Sequence, residues 1–404
     1  MPGPPERCDL TVVGAGVIGL AVARELVARH PRLRICVLER ETRLAAHQSG
    51  HNSGVIHAGV YYAPGSLKAR LCVDGARELY EFCAAHGVPH ERCGKLILAT
   101  SAAELGRLAE LELRARRSGV PGLRRVGPSE ITEVEPYARG LAGLHSPNTG
   151  IVDFGAVVVA LADQIRRSGA SIGLGCGVLD VTSASSGLRL RHARGTLETR
   201  AAVFCAGAWA DRLAVRAGAD PDPRIVPFRG AYLALRAPRR GLVRSLVYPV
   251  PDPRLPFLGV HFTRTLAGGV LIGPSALVVG ARDAYSLGRV RPADLADTLS
   301  WPGSWRMLRA NLPAAIVELG HAAVPGALVR AAARLIPGLV PADVEPAFAG
   351  VRAQAVGRDG SLVDDFVFSR TDRALHVRNA PSPGATSALA IARHVADRVD
   401  RELV

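Results

Sequence analysis

The sequence predicts an α/β protein of two domains, organised around a βαβ unit at its start. Three observations carry this. The short apolar run Asp9–Val13 leads directly into Gly14-Ala15-Gly16-Val17-Ile18-Gly19 and then into a helical spacing. Glycine turns behind apolar runs return at Ala206-Gly207 and at Pro383-Gly384. The chain has 404 residues, and at roughly 100–200 residues per domain two domains are the natural reading. Hydrophobic residues make up 48% of the chain, enough for a substantial core and too many for wholesale disorder.

The opening elements follow in order. Asp9–Val13 reads as a buried parallel strand. From Val17 to Arg29 the spacing is helical, with Ile18, Val22, Leu26 and Val27 on one side. Arg34–Leu38 reads as a second strand ending in Glu39, with Arg40 beside it as a further candidate contact. In this setting Gly14 permits the tight turn, Gly16 lets backbone approach a pyrophosphate, and Gly19 lets helix and strand pack closely. The helix start offers free N–H groups to phosphates, and Glu39 can accept from ribose hydroxyls. The acid favours an unphosphorylated ribose, so FAD or NAD fits better than NADP. The alternative is a βαβ unit that uses its glycines for packing alone.

The later turns favour FAD over NAD. Ala201–Cys205 reads as a strand that runs into Ala206-Gly207-Ala208-Trp209. Just before it, Gly177–Val181 reads as a strand edge whose Val178 backbone is placed to meet adenine. Near the end, Asn379–Thr386 leads into a helix over Ser387–Leu403. There Pro383, Gly384, Ala385 and Thr386 form an approach that can aim N–H groups at the flavin N1/O2 edge, or an ordinary loop. Early, middle and late turns match a discontinuous FAD domain.

Composition narrows the partners. The seven cysteines are scattered, odd in number and without a C-x-x-C pair, so neither a metal site nor a disulfide framework is expected. The net charge is +14, yet only Lys68 and Lys95 are lysines, and the arginines are dispersed without interleaved aromatics. Nucleic acid is therefore not an expected partner, whereas an anionic substrate or membrane surface is compatible. No apolar run reaches the roughly 18 residues of a membrane span. Met1–Arg7 leaves no room for a signal peptide before Leu10, and the expected location is cytoplasmic. Ser300–Arg334 carries Trp301, Trp305, Met307, Leu308, Leu312 and Ile316 beside Arg306, Arg309 and Arg330. It reads as an amphipathic helix that either touches an anionic membrane or packs on its own domain.

The most informative stretch is His51-Asn52-Ser53-Gly54-Val55-Ile56-His57-Ala58-Gly59-Val60-Tyr61-Tyr62. Together with Tyr248–Pro253, Pro256–His261, Gly350–Ala355 and Asn379–Ser387, it resembles the L-2-hydroxyglutarate oxidase/dehydrogenase family of the D-amino-acid oxidase superfamily. The resemblance covers essentially the whole chain. It implies non-covalent FAD, and oxidation of an L-2-hydroxy acid to the 2-oxo acid by hydride transfer to flavin N5. Electrons then pass to oxygen or a membrane carrier. It also implies a Rossmann-like FAD-binding domain over 1–85, 146–225 and 350–404. The second, substrate domain is built on a mixed, largely antiparallel sheet over 86–145 and 226–349. Four places depart from the family pattern. Ala231 stands where an acid is usual, Ser275 for asparagine, Gly384 for alanine, and Ala281-Arg282-Asp283-Ala284-Tyr285 for Lys-Arg-Glu-Gly-Tyr.

Candidate site residues follow from the residue chemistry and the resemblance together. His57 is the candidate general base, since an imidazole titrating near neutral pH can take the hydroxyl proton. His261 is a rival base or a hydrogen-bond donor. His51, with Asn52, Ser53 and Gly54, is expected on the flavin side. Arg352 sits between apolar residues, where an arginine is costly to bury without an anion, so it is expected to grip the α-carboxylate with two prongs. Lys68 is expected to meet a second carboxylate or to be a solvated amine. Arg229 and Tyr248 either touch substrate or brace the sheet. Two other classes stay open: an amine or amino-acid oxidase of the same superfamily, and a non-catalytic or tRNA-linked flavoprotein. The last needs a contiguous basic face or a reactive cysteine, and the sequence shows neither.

Overall fold

A computed structural model describes residues 4–184, 187–255 and 257–403; Pro256, in one of the family-like stretches, lies outside them. The first strand β1 (Arg7–Val13), helix α1 (Val17–Arg29) and second strand β2 (Ile35–Leu38) form the expected βαβ unit. β1 is the centre of an eight-stranded sheet. Five of its strands run parallel, in the order Ala374–Asn379, Gly195–Phe204, β1, β2 and Ser171–Gly173. The outer half of Gly195–Phe204 instead pairs antiparallel with Gly187–His192, which pairs with Val178–Ala184. Val178 thus opens an antiparallel strand beside the parallel core.

The parallel strands are apolar on both faces because both are covered: helices pack on one, and on the other Val13, Leu38 and Phe204 pack with Val178, Leu190 and Leu213. α1 packs against Phe154–Arg167 and the C-terminal helix Ala388–Glu402, which in turn meets Leu67–Ala85. Gly75 allows that last contact: a Cβ there would stand 2.6 Å from the Cα of Ser387. Leu20, Val22, Leu26, Leu161, Ile391 and Val395 lie in this core.

A second, nine-stranded sheet is mixed and mostly antiparallel. Its long ladder pairs Arg224–Leu235 with Val344–Val356, from Arg224 opposite Val356 to Leu235 opposite Val344. Lys95–Ala99 and Leu246–Pro249 are its one parallel pair. The expected division at 349/350 falls inside the second strand of this ladder. Val344–Val356 is one continuous strand, held along its length by the same partner. A small third sheet joins Val55–Ile56, Gly150–Val152 and His90–Glu91.

The stretch 300–334 is not one amphipathic helix. It forms Pro302–Ala310, Leu312–Ala323 and Pro325–Ala333, each with a proline in its first two positions. Proline lacks the N–H that would continue the preceding helix and starts a new one well. Trp301 and Met307 are buried against the second sheet, whereas Trp305, Leu312, Ile316, Val317 and Leu319 are exposed. No single helix among the described residues is long and apolar enough to cross a membrane.

Candidate active site

The glycine turn after β1 divides into positions the fold needs and one it does not. Gly14 has φ +107°, and a Cβ there would meet the Cys205 carbonyl oxygen at 2.4 Å. At Gly19 a Cβ would press into the Gly14 carbonyl. Gly16 has an ordinary φ of −73°, and its nearest neighbour would be Ser49 Oγ at 3.3 Å. The chain's own packing therefore does not demand glycine at 16, and the open side is the one a pyrophosphate would approach. The Ala15 and Glu41 N–H groups donate to the two oxygens of Glu39, at 2.7 and 2.9 Å. They hold that carboxylate beside the turn, at the C-terminal edge of the parallel strands. The Val17 N–H donates to Ser49 Oγ at 3.0 Å, which ties the loop after β2 to the start of α1.

That loop is packed by stacked rings. The Arg40 guanidinium lies over Trp209, 3.8 Å from the ring centroid, next to the Gly207 turn with its φ of +51°. His47 bridges Glu41 (2.8 Å) and the Tyr285 hydroxyl (3.1 Å), and His51 stacks on Tyr285 at 4.1 Å. Asn52 donates to the carbonyls of Gln48 and Ser49 and accepts from the Gly54 N–H at 2.8 Å. Its side chain is therefore committed to holding the loop, contrary to a direct flavin contact. Gly54 has φ +72°, a conformation that side chains disfavour.

The chemically active groups converge where the third sheet meets the second. His57 follows Val55–Ile56, and its N–H donates to Thr386 Oγ1 at 3.1 Å. Thr386 also donates to the Val55 carbonyl at 3.2 Å, so it anchors the base candidate rather than standing free. His57 Nδ1 is buried with no partner among the described residues. Burial first, then the charge of Lys95, holds the His57 imidazole well below its ordinary range. This corrects the expected titration near neutral pH. His261 Nδ1 lies 2.8 Å from the Gly259 carbonyl. A carbonyl can only accept, so Nδ1 carries the proton and Nε2 the lone pair. Burial pushes His261 down to about 3, and its ring stacks on Tyr248 at 3.9 Å.

The cations divide differently from expectation. Lys68 is buried, yet its ammonium is bound to the Asp364 carboxylate at 2.6 Å and the Asp364 carbonyl at 2.9 Å. It is thus engaged by a carboxylate of this chain that is itself largely exposed, and it is not a solvated amine. Arg229 points its Nε at the Tyr285 carbonyl, 3.3 Å away, and so braces the loop ring. Arg352 sits opposite Phe228 in the long ladder, with its guanidinium over the face of Phe257 at 4.8 Å. No carboxylate lies in ion-pair range of it among the described residues. Its charge acts on His261. Gly350, two residues earlier, lets this strand pass the His51 carbonyl, which a Cβ would meet at 2.6 Å. Two departures from the family pattern are neighbours. The Ala231 N–H donates to Ser275 Oγ, and the Ser275 N–H donates to the Ala231 carbonyl, both at 3.1 Å. At Gly384 a Cβ would stand 2.8 Å from the Ala380 carbonyl, so the alanine usual in the family needs a slightly different turn.

Residues 9–398 match the family model described as FAD dependent oxidoreductase. The chain belongs to that family. It is 45% identical to the L-2-hydroxyglutarate dehydrogenase, mitochondrial, of Nematostella vectensis, over 98% of this chain and 91% of the relative. It is 44% identical to the protein of the same name from Caenorhabditis elegans, over 97% and 94%. Among solved structures, the FAD-bound L-alpha-glycerophosphate oxidase of Mycoplasma pneumoniae superposes with a TM-score of 0.80 at 23% identity, covering 98% of this chain and 95% of that one. That likeness bears on the fold: a parallel FAD-binding sheet beside a mixed, mostly antiparallel sheet.

The residues present fit FAD. Gly16 leaves a cradle that a side chain would fill, the positive end of the α1 dipole lies behind it, and the Glu39 carboxylate is held beside the turn, where it would meet a ribose. Gly16→Val is expected to fold with normal secondary structure but to lose most bound FAD, measured by absorbance after gel filtration. Normal flavin content in that variant would make the turn purely structural.

Lys95 and Tyr61 escaped the sequence reading of the site. Lys95 opens the strand Lys95–Ala99, which is buried at every position. A lysine leading an otherwise apolar strand, in a chain with two lysines, was the signal available.

Proposed function

We propose that this chain oxidises L-2-hydroxyglutarate to the 2-oxo acid. The observation that carries the reading is the pairing of Arg352, a guanidinium with no carboxylate at ion-pair distance among the described residues, with two imidazoles that burial keeps neutral. Together they offer a grip for an α-carboxylate and a base for the neighbouring hydroxyl. The relatives' printed names narrow the substrate to the five-carbon dicarboxylate.

Arg352 holds the α-carboxylate through parallel N–H donors, and its planar fork fixes the α-carbon in one orientation. His57 Nδ1, unpartnered and neutral, accepts the hydroxyl proton as the carbonyl forms. Thr386 fixes the His57 backbone so that the ring keeps its place. His261 Nε2, a lone pair by the tautomer argument, accepts a hydrogen bond and is the next candidate base. FAD, when bound, supplies the two-electron acceptor for the hydride that leaves the α-carbon. Gly14, Gly16, Gly19, Glu39, Arg40, Val178, Ala206, Gly207 and the Pro383–Thr386 turn border the space that would hold it. His51, Ser53 and Gly54 border the same space, with Asn52 acting behind them. The proposed division assigns the parallel sheet and its helices to the cofactor and the nine-stranded sheet to the substrate.

The test is anaerobic flavin bleaching across a panel. L-2-hydroxyglutarate is expected to bleach the flavin fully, with glycine, sarcosine and D-amino acids leaving it yellow. Bleaching by an amine with none by any 2-hydroxy acid would replace this reading with the amine-oxidase one.

The electrons leave to oxygen or to a membrane carrier, and one observation favours peripheral membrane contact. Trp305, Leu312, Ile316, Val317, Leu319 and Val324 are all about half exposed or more on the surface of 302–324, beside Arg306 and Arg309. Isolated apolar side chains are common at surfaces, but a contiguous set with flanking arginines fits an anionic bilayer. Ile316→Glu is expected to abolish cosedimentation with anionic vesicles while leaving flavin reduction intact. Equal cosedimentation of the two proteins would remove this surface from the proposal.

A further inference from the structure

Lys95 is among the most completely enclosed side chains of the molecule, with 1% of its surface exposed. What its ammonium meets is aromatic: the face of Tyr248 at 4.0 Å and that of Tyr61 at 5.2 Å. No carboxylate pairs with it among the described residues. A buried ammonium without a counter-charge is costly, and chains normally pair it or lose it. Around it stand other groups with unused capacity. The Tyr61 hydroxyl and His57 Nδ1 are both buried without partners. Tyr248 carries His261 on its ring at 3.9 Å, and Arg352 acts on that same imidazole. Lys68, the other lysine, has a carboxylate partner in Asp364 at 2.6 Å, which Lys95 lacks.

We propose that Lys95, with the Tyr61 hydroxyl beside it, receives the second carboxylate of the substrate and makes the site selective for dicarboxylic 2-hydroxy acids. The proposal rests on the 2-hydroxy-acid reading above. It assigns the two ends of the substrate to two cations on different strands. Arg352, on the long ladder, takes the α-carboxylate. Lys95, at the head of the parallel pair, takes the distal one.

The surroundings give this role a pH signature. Burial brings Lys95 down to about 7. The groups facing it are Cys72, Cys93, Tyr61, Tyr248, His57 and His261. Burial raises both thiols, Cys93 to about 11, and raises both phenols. It lowers both imidazoles. Of the groups whose ionisation is shifted here, Lys95 alone changes charge near pH 7–8. A bound carboxylate favours the charged amine and raises its pKa. Dicarboxylate binding at pH 8 therefore draws a proton from solvent, and affinity falls as pH rises above about 7.

The test uses FAD-loaded enzyme and Lys95→Met. Anaerobic reduction is followed with L-2-hydroxyglutarate and with its C5 amide, which has the same shape without the distal charge. Binding of glutarate and of butyrate to the oxidised enzyme is read from the flavin spectrum and by calorimetry in buffers of different ionisation enthalpy. Lys95→Met is expected to raise the half-saturating L-2-hydroxyglutarate concentration by roughly 30- to 4,000-fold, the range for losing one partner of a buried charge pair. The amide should change by less than about threefold, since it never made that pair. Glutarate should lose its proton uptake along with its affinity. The variant should melt no lower than the parent, because an unpaired buried charge has been removed. Lys95→Gln provides a second readout should methionine pack badly. Equal losses for acid and amide, or unchanged proton uptake, would overturn the proposal and leave Lys95 an electrostatic neighbour of the histidines. If no 2-hydroxy acid reduces the flavin but an amine does, the wider reading fails, and the glutarate and butyrate titrations still decide whether Lys95 holds a carboxylate.

Discussion

His57→Ala is expected to slow anaerobic flavin reduction by about two to four orders of magnitude, the usual range for losing a general base. Flavin content should stay near normal, because the anchoring bond uses the backbone N–H of residue 57 and not the ring. The pH dependence carries more information than the rate. Only the neutral imidazole accepts a proton, so activity is present above the folded pKa and lost as pH falls through it. Burial and the charge of Lys95 hold that pKa well below its ordinary value. The His57 step should therefore be flat through neutral pH, with its falling limb in acid, and His57→Ala should erase that limb. Deuterium at the substrate α-carbon should slow the wild-type step, placing hydride transfer within it. Wild-type reduction by His57→Ala would move the base to His261, whose Nε2 is free by the tautomer argument.

Asp211→Ala is expected to destabilise the fold by about 3 kcal/mol, the low end of the range for breaking a buried ion pair, because the part-exposed Asp297 carboxylate, 3.3 Å from Arg282, still offsets some of its charge. Arg282 is 2% exposed. Its two terminal nitrogens are held by the Asp211 carboxylate, one at 2.9 Å, and one of them also donates to the Ala208 carbonyl at 2.6 Å. Asp211 further accepts from the Ile225 N–H at 2.9 Å, at the start of the long ladder. The pair thus ties the Gly207 turn to the second sheet. The denaturant midpoint should fall, and FAD should be retained less well. Asp211→Leu with Arg282→Met should recover part of the loss, since removing both charges avoids the stranded one. A midpoint unchanged in Asp211→Ala would show that Asp297 alone suffices to hold the Arg282 charge.

The sequence was most informative where the requirement is local. Gly14 and Gly19 are needed because backbone atoms a few residues away, or on the adjoining strand, leave no room for a Cβ. Such demands write themselves into a short stretch, and β1, α1 and β2 were legible for that reason. The C-terminal helix was readable in the same way, from Asn379–Thr386 and the periodic run behind it. The single helix expected over 300–334 was misread for a local reason too. Three proline-led starts outweigh an amphipathic pattern, because proline cannot donate the hydrogen bond that continuity requires.

The partner of a buried charge is a different kind of property. Lys68 and Lys95 looked alike as the only two lysines, and the one expected at the substrate is the one Asp364 pairs with, 296 residues away in the chain. Lys95 instead lies against Tyr248, brought beside it by the parallel pairing of Lys95–Ala99 with Leu246–Pro249. His57 shows the same limit. Its chemical type was evident from the sequence, but its pKa depends on burial and on a cation from another strand. By itself the sequence determined the βαβ cradle, the family and the residue types of the site. The tertiary structure decided which cations are already paired, which nitrogen of His261 is free, and where strand Val344–Val356 begins and ends. Backbone sterics act over a few ångströms and a few residues. The desolvation and pairing of charge depend on whatever the whole fold places across the gap.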